Sequence, residues 1–334
     1  MAQKIPFADA MRAQPALIAG VLRRLREAPA VPPLRPTEVV SVVGMGASRN
    51  SAYAFVAAAR AAGVRAANPS AAEVQAGPGD IAPADYTVLV SESGRSPETV
   101  SAARLPARVS LAVTNEAGSP LAAATDVSLD FGDIADSGVY TAGYLATLLA
   151  YAHLFDAWGL DAIPPDVEQL PFLVAEALQA HEEDARAAAE WIAAATIVDV
   201  VGQQVSFAAA SQFGLMLREG PRVRSAVFET FEYLHGPIDA ARDGTVVVAF
   251  GDGREADLAR VVVGGGARAV LVTSDEVESS AALRVIRIPT GLSPFARAAV
   301  EAVVAQLIAA AAAEIRGVSM DEFLYDGLGT KIGE

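Results

Sequence analysis

Runs of β-branched and aliphatic residues alternate with longer amphipathic stretches along the whole chain. Val39–Gly44 reads VVSVVG, almost without a polar face, and predicts a strand buried on both sides. Similar runs predict strands at Tyr86–Val90, Val109–Val113 and Asp126–Phe131. Helical spacing fills the intervals over Asn50–Ala62 and from Pro97 onward, since proline is tolerated in a first helical turn. Ahead of the first strand, an amphipathic stretch predicts a helix from near Pro15 to Glu27, and Pro29–Pro36 reads as a proline-rich connector. Strands alternating with helices specify a parallel sheet covered on both faces, the α/β class.

The second half repeats the layout. A helix over Pro165–Ala194 precedes a strand at Thr196–Val201, which Gly202-Gln203-Gln204 ends, and a helix at Ser206–Glu219. Further strands are predicted at Thr245–Phe250, Ala269–Thr273 and Val285–Ile288, then the alanine-rich helix Pro294–Arg316 and an irregular tail. With 334 residues, more than one core usually serves, the chain is expected to hold a duplicated domain, 1–162 and 163–334.

Two apolar stretches resemble membrane spans at first. Val139–Leu160 contains His153 and Asp156, and Ala298–Ile315 contains Glu301, Gln306 and Glu314. A membrane span needs about 20 residues with few or no charges. Both therefore read as buried helices, within a domain or at a subunit interface, and no membrane partner is expected. The N-terminal MAQKIPFADAMRAQPALIAG lacks the charged start, apolar core and cleavage site of a signal peptide, so a cytoplasmic location is expected. The absence of cysteine excludes disulfides, thiolate metal sites and a cysteine nucleophile. A formal net charge of -15 disfavours a nucleic-acid partner.

Two loops concentrate polar chemistry at strand ends. Gly44-Met45-Gly46-Ala47-Ser48 follows the first strand and Ser91-Glu92-Ser93-Gly94-Arg95-Ser96 the second, and each opens a helix. A helix N-terminus presents unpaired N–H groups to an anion. Glycine lets the backbone approach closely, and serine hydroxyls add donors. Gly46, Ser48, Ser91, Ser93 and Ser96 could therefore surround one phosphate; the bland alternative is helix capping. Neither a dinucleotide fingerprint nor a P-loop fits: position 49 is Arg49 where the former needs glycine, and no lysine stands at the spacing of the latter.

VVGMGASRNSAY and SESGRSPETV resemble the two signatures of the sugar-isomerase (SIS) domain family. VGQQVSFAAASQFGLMLREG and FETFEYLHGPIDA resemble the isomerase half of glucosamine-6-phosphate synthases, as does MRAQPALIAGVLRR. The resemblance covers nearly the whole chain. It implies two SIS domains, each a five-stranded parallel sheet flanked by helices, and a homodimer with the site shared between subunits. It also implies a sugar phosphate substrate and no cofactor or metal.

The resemblance carries roles residue by residue. Ser48, Ser91, Ser93 and Ser96 match the phosphate cradle. Glu92 is expected in the same loop, but stands where the synthases carry a neutral glutamine. A carboxylate there is unfavourable unless it points away or pairs with Arg95. Val139, Tyr140 and Thr141 match a loop lining the sugar, with the large Tyr140 replacing a small residue. Glu219 matches the carboxylate that moves a proton between C1 and C2; read alone, it is a helix-terminal glutamate. His235 matches the histidine that opens the sugar ring, with Glu232 orienting it or capping its helix. His153 and His181 carry no motif and read as structural. The tail DEFLYDGLGTKIGE offers Lys331 for a Schiff base with an open-chain ketose, at a spacing one residue longer than in the synthases.

Glutamine-dependent synthesis is not expected of this chain, which has neither cysteine nor a glutaminase segment. Isomerisation or deamination of a ketose or amino sugar 6-phosphate is the leading expectation. Cleavage of amine-linked fructose phosphates (a deglycase) and non-catalytic sensing of a sugar phosphate are the alternatives. No basic DNA-binding segment precedes residue 30, which weighs against a repressor.

Overall fold

A computed structural model describes residues 3–76, 84–160, 164–325 and 329–332. The chain divides into two compact units, Met1–Pro171 with Leu324–Glu334, and Phe172–Phe323. The expected boundary at 162/163 lies outside the described residues.

In the first unit α1 (Phe7–Arg26) precedes β1 (Val39–Gly44), α2 (Gly46–Ala61), β2 (Arg65–Ala67), α3 (Ala71–Ala76) and β3 (Tyr86–Val90). Then follow α4 (Pro97–Ala102), β4 (Val109–Thr114), α5 (Pro120–Ala123), β5 (Val127–Asp130), α6 (Ala142–Ala157) and α7 (Pro165–Glu168). The sheet is parallel, in the order β2-β1-β3-β4-β5. Alternate strand residues serve opposite faces. Val43, Leu89 and Ala112 pack against Ala71, Val74, Ala102 and Leu121 from α3, α4 and α5. On the other side, Phe55 of α2 meets Tyr151 and Phe155 of α6 edge-on at 5.1 and 5.3 Å, and Tyr86 of β3 meets Trp158 at 5.0 Å. Each such pair adds about 1 kcal/mol beyond its burial. The cluster fixes α2 on the sheet, and with it the start of that helix beside the serine loop. Tyr86 and Trp158 also donate hydrogen bonds to the Pro32 carbonyl, pinning the proline-rich connector.

The second unit takes α8 (Leu170–Ala180, which holds the division at Pro171), α9 (Glu182–Ala194), β6 (Ile197–Gly202), α10 (Ser206–Glu219), β7 (Ser225–Glu229) and α11 (Thr230–Leu234). A 3-10 turn (Pro237–Ala240) leads to β8 (Thr245–Phe250), α12 (Arg254–Gly264), β9 (Arg268–Thr273), β10 (Leu283–Arg287) and α13 (Pro294–Arg316). Its parallel sheet runs β10-β9-β8-β6-β7, the connectivity of the first unit over again. Val247, Ala249, Ala269 and Leu271 pack under α12, while Phe250 meets Phe213 of α10 on the opposite face. Each half is thus a five-stranded parallel sheet flanked by helices, a three-layer α/β/α arrangement. The helix α13 is long and apolar enough to cross a membrane, but 78% of its apolar window is buried inside the fold.

Three expectations change. The first helix starts at Phe7 and runs through Pro15. Proline at 15 removes the N–H that would reach the carbonyl of Met11. The buried Gln14 side chain supplies the missing donor, its Nε2 lying 3.0 Å from that carbonyl. The helix expected over Pro165–Ala194 is three helices, with breaks at Gln169 and His181. Glu182, Glu183 and Asp184 crowd the first turn after His181 and favour a helix N-terminus there. Finally, β2 and β7 are edge strands that hydropathy does not single out; β2 is only three residues long.

Candidate active site

The serine loops sit where the first sheet reverses direction. β2 lies on one side of β1 and β3 on the other, so the loops after β1 and β3 flank the switch point at which open α/β sheets bind ligands. Gly44 ends β1 and Gly46, at φ +51°, opens the 16-residue α2. Ser48 lies half-buried in that first turn, and among the described residues its hydroxyl has no partner. In the second loop the Ser91 and Ser96 hydroxyls lie 3.2 Å apart, and Ser93 Oγ accepts from the Arg95 N–H at 3.3 Å. The turn depends on Gly94. It holds φ +60°, and an added Cβ would stand 2.1 Å from Ser119 Oγ and 2.9 Å from Thr114 Oγ1. Gly94→Ala is therefore expected to destabilise the protein by about 2–4 kcal/mol. A urea midpoint equal to wild type would contradict this packing.

Glu92 is expected among the phosphate-binding residues, but its side chain is directed elsewhere. It is buried and accepts from Asn115 Nδ2 at 3.0 Å, with Gly143 and Asp136 beside it. The pairing with Arg95 does not form; Arg95 meets Glu116 at 3.3 Å instead. Burial pushes the Glu92 carboxyl up, opposed by Lys4, while the Asp136 charge adds to the rise. Asp136 is equally buried but accepts from the backbone N–H groups of Ser137, Thr141 and Gly143 and from the Thr141 hydroxyl. Burial pushes the Asp136 carboxyl up as well, opposed by these four hydrogen bonds.

Val139 and Thr141 are fully buried. The Val139 carbonyl accepts from Ser137 Oγ, and the Thr141 hydroxyl is held by Asp136 at 2.6 Å. Their side chains thus shape the loop from beneath, and the half-buried Tyr140 between them hydrogen-bonds the Glu92 carboxyl. Lys4 Nζ lies 4.6 Å from the Tyr140 ring centre and donates to the Ser137 carbonyl at 3.0 Å. The tail reaches this unit too. The Ile332 N–H donates to the Arg95 carbonyl at 2.8 Å, so Lys331, half-buried, stands next to a residue docked on the serine loop.

Glu219 and His235 belong to the second unit. Glu219 ends α10, half-buried, beside Gly220 and the Met320 side chain that covers it. Burial pushes its carboxyl up to about 7, and among the described residues no cation or donor offsets that. His235 caps the C-terminal end of α11 with its ring exposed. The N-terminal cap of α11 is Glu229, whose carboxylate accepts from Phe231 and Glu232 N–H. Glu232 is exposed and does not cap the helix. His153 and His181 are both partly buried, and burial lowers both.

No family model matches the chain, and no curated protein matches it. Solved structures do. The C-terminal domain of a glucosamine-fructose-6-phosphate aminotransferase from Francisella tularensis superposes with a TM-score of 0.81 at 17% identity, covering 95% of this chain and 97% of that one. A candidate phosphosugar isomerase from Silicibacter pomeroyi DSS-3 gives 0.74 at 22% identity over 94% and 98%. A glucosamine-6-phosphate deaminase from Thermotoga maritima gives 0.73 at 20% identity over 96% and 97%. The likeness is one of fold, and it spans both units.

Chemically, the first unit offers hydroxyls and a helix N-terminus to a small anion. The second offers a carboxyl poised near neutral pH and an exposed imidazole. Among the described residues no group of three or more acidic or histidine side chains is placed to hold a metal ion. Sequence reasoning misses Asn115, Asp136 and Lys4. They act behind the loops, and nothing in their local sequence marks residues buried by contacts distant in the chain.

Proposed function

We propose that the chain is a double-SIS phosphosugar isomerase, of the aldose–ketose or aminosugar-phosphate isomerase–deaminase type, working as a cytoplasmic homodimer. The observation that carries this reading is the pair of serine-bearing turns at the switch point of the first sheet. The fold likeness to an aminotransferase domain and to a glucosamine-6-phosphate deaminase supports a ketose or amino sugar 6-phosphate as substrate.

In this reading Ser48, Ser91, Ser93 and Ser96, with the first N–H groups of α2, hold the phosphate and leave the sugar to be positioned by the Val139–Thr141 loop. The exposed His235 ring gives a proton to the ring oxygen and takes one from the anomeric hydroxyl, opening the sugar. Its exposure suits a residue lent to a partner copy. Glu219 then removes the proton from one of C1 and C2, and the enediol or enamine accepts it back on the other carbon. A carboxyl near 7 is suited to both halves of that exchange. Lys331 is the candidate for condensing with the open-chain ketose carbonyl, with release of water.

Calorimetry with fructose 6-phosphate and glucosamine 6-phosphate tests the cradle. Ser93→Ala is expected to weaken binding about tenfold and the double variant Ser48→Ala/Ser93→Ala about a hundredfold, one hydrogen bond to a charged group at a time. Affinity unchanged in the double variant would remove the phosphate from these loops.

A further inference from the structure

The second unit repeats the topology but not the chemistry. Its switch point lies between β6 and β8, and a cavity of about 280 Å³ opens there at the carboxyl ends of both strands. Gln203, Gln204 and Ser206 line it from the β6 side, Asp252 and Glu255 from the β8 side, and Arg297 from the first turn of α13. The loop after β8 occupies the place of the serine loop, and there the chain supplies its own anion. Asp252 accepts from Thr273 Oγ1 at 2.7 Å, from Ser274 N–H and Oγ at 2.8 Å each, and from Arg297 Nη1 at 2.5 Å. Against the cost of burial, these bonds hold its carboxyl well below the usual range.

Arg297 is spoken for twice. Its Nε also donates to Glu301 Oε1 at 2.9 Å, an oxygen that Ser206 Oγ reaches at 2.8 Å. Yet two atoms of the network, Arg297 Nη2 and Glu301 Oε2, are buried with no partner, although Glu301 is 0% exposed. Gln203 is also loosely held, its amide 3.4 Å from Glu255.

We propose that this cavity is a second ligand site, for an uncharged polyhydroxy compound of monosaccharide size. A phosphate would meet the fixed charge of Asp252 with no free cation to offset it, because Arg297 is already neutralised. A cation would find Asp252 already paired with Arg297, and the Glu255 carboxyl pushed up by burial. An apolar molecule would strip solvent from the carboxylates and amides that line the cavity and give them no hydrogen-bond partner. Sugar hydroxyls, each both donor and acceptor, fit a wall of carboxylates, an amide and a guanidinium. The volume is near the lower end of ligand pockets.

The test is a titration of the isotope-labelled full chain with D-glucose, D-fructose, D-glucitol and N-acetylglucosamine, read from backbone amide shifts. At least one probe is expected to saturate, with shifts confined to residues 202–206, 251–255 and 292–297. Gln203→Ala, which removes a loosely held side chain, is expected to weaken that binding about tenfold. Ser93→Ala is expected to leave it unchanged, so failure of the phosphate cradle and failure of this site are separable. No saturation by any probe overturns the proposal. So do shifts elsewhere, equal affinity in Gln203→Ala, or displacement of the probe from these residues by inorganic phosphate.

Discussion

Glu219→Gln is expected to lower turnover of a hexose or amino sugar 6-phosphate by about 10²–10⁴-fold, with binding affinity nearly unchanged. Glutamine keeps the size of the side chain and loses the lone function required, a site that accepts and returns a proton. The same change is expected to make the protein more stable at alkaline pH. The Glu219 carboxyl is raised from 4.5 to about 7 by burial. A group whose folded pKa is raised contributes stability that is complete below 4.5 and is lost as pH rises through 7. At pH 8 the wild type has forfeited on the order of 3 kcal/mol through this residue, and glutamine forfeits none. Glu301, raised to about 7 chiefly by burial, contributes in the same direction, so the variant should remove part of the pH dependence and not all of it. Melting temperatures at pH 5 and pH 8 separate the cases. A variant that loses activity without gaining stability at pH 8 would mean that Glu219 is not strained by its surroundings.

Arg297→Met is expected to destabilise the second unit by about 3–5 kcal/mol. The guanidinium is 2.5 Å from Asp252 and 2.9 Å from Glu301, with side-chain exposures of 19% for Arg297, 34% for Asp252 and 0% for Glu301. Methionine fills much of the volume but leaves both acids without their cation. The Arg186–Glu314 pair is a natural control: both side chains are more than half exposed, and Arg186→Met should leave the unfolding midpoint unmoved. Urea unfolding of both variants at pH 7 tests the contrast. Equal midpoints would mean that the buried triad adds nothing to stability.

Much of the architecture is legible in the sequence because a parallel sheet buries both faces of its strands. Val39–Gly44 and Thr245–Phe250 are almost wholly apolar for that reason, and both ranges match the observed strands residue for residue. Two of the four edge strands, β2 and β7, escape: Arg65–Ala67 has three residues, and Ser225–Glu229 ends in a polar helix cap. The helix through Pro15 is hidden because its repair comes from a side chain, Gln14, and not from a change in periodicity. The serine loops are legible in both composition and position. The fate of Glu92 is only half so. Its charge conflict with a phosphate can be read from the residue, but Asn115 and Asp136, which decide the outcome, lie 23 and 44 positions further along the chain. In sequence the second switch point shows Gly202-Gln203-Gln204 in the place of the first glycine loop and Gly251-Asp252-Gly253 in the place of the serine loop. The carboxylate that fills it is anchored by Arg297, 45 residues away.

In the proposed reaction this protein moves a proton between C1 and C2 of a phosphosugar. The direct measurement is proton NMR in deuterated water, with hexose 6-phosphates, amino sugar 6-phosphates and amine-linked fructose 6-phosphates as substrates. Deuterium is expected at C1 or C2 of at least one of them, and is expected to be absent with Glu219→Gln. Thermal stabilisation by a phosphosugar with no deuterium entering any carbon would contradict it, and would make the protein a binder of sugar phosphates with no reaction of its own.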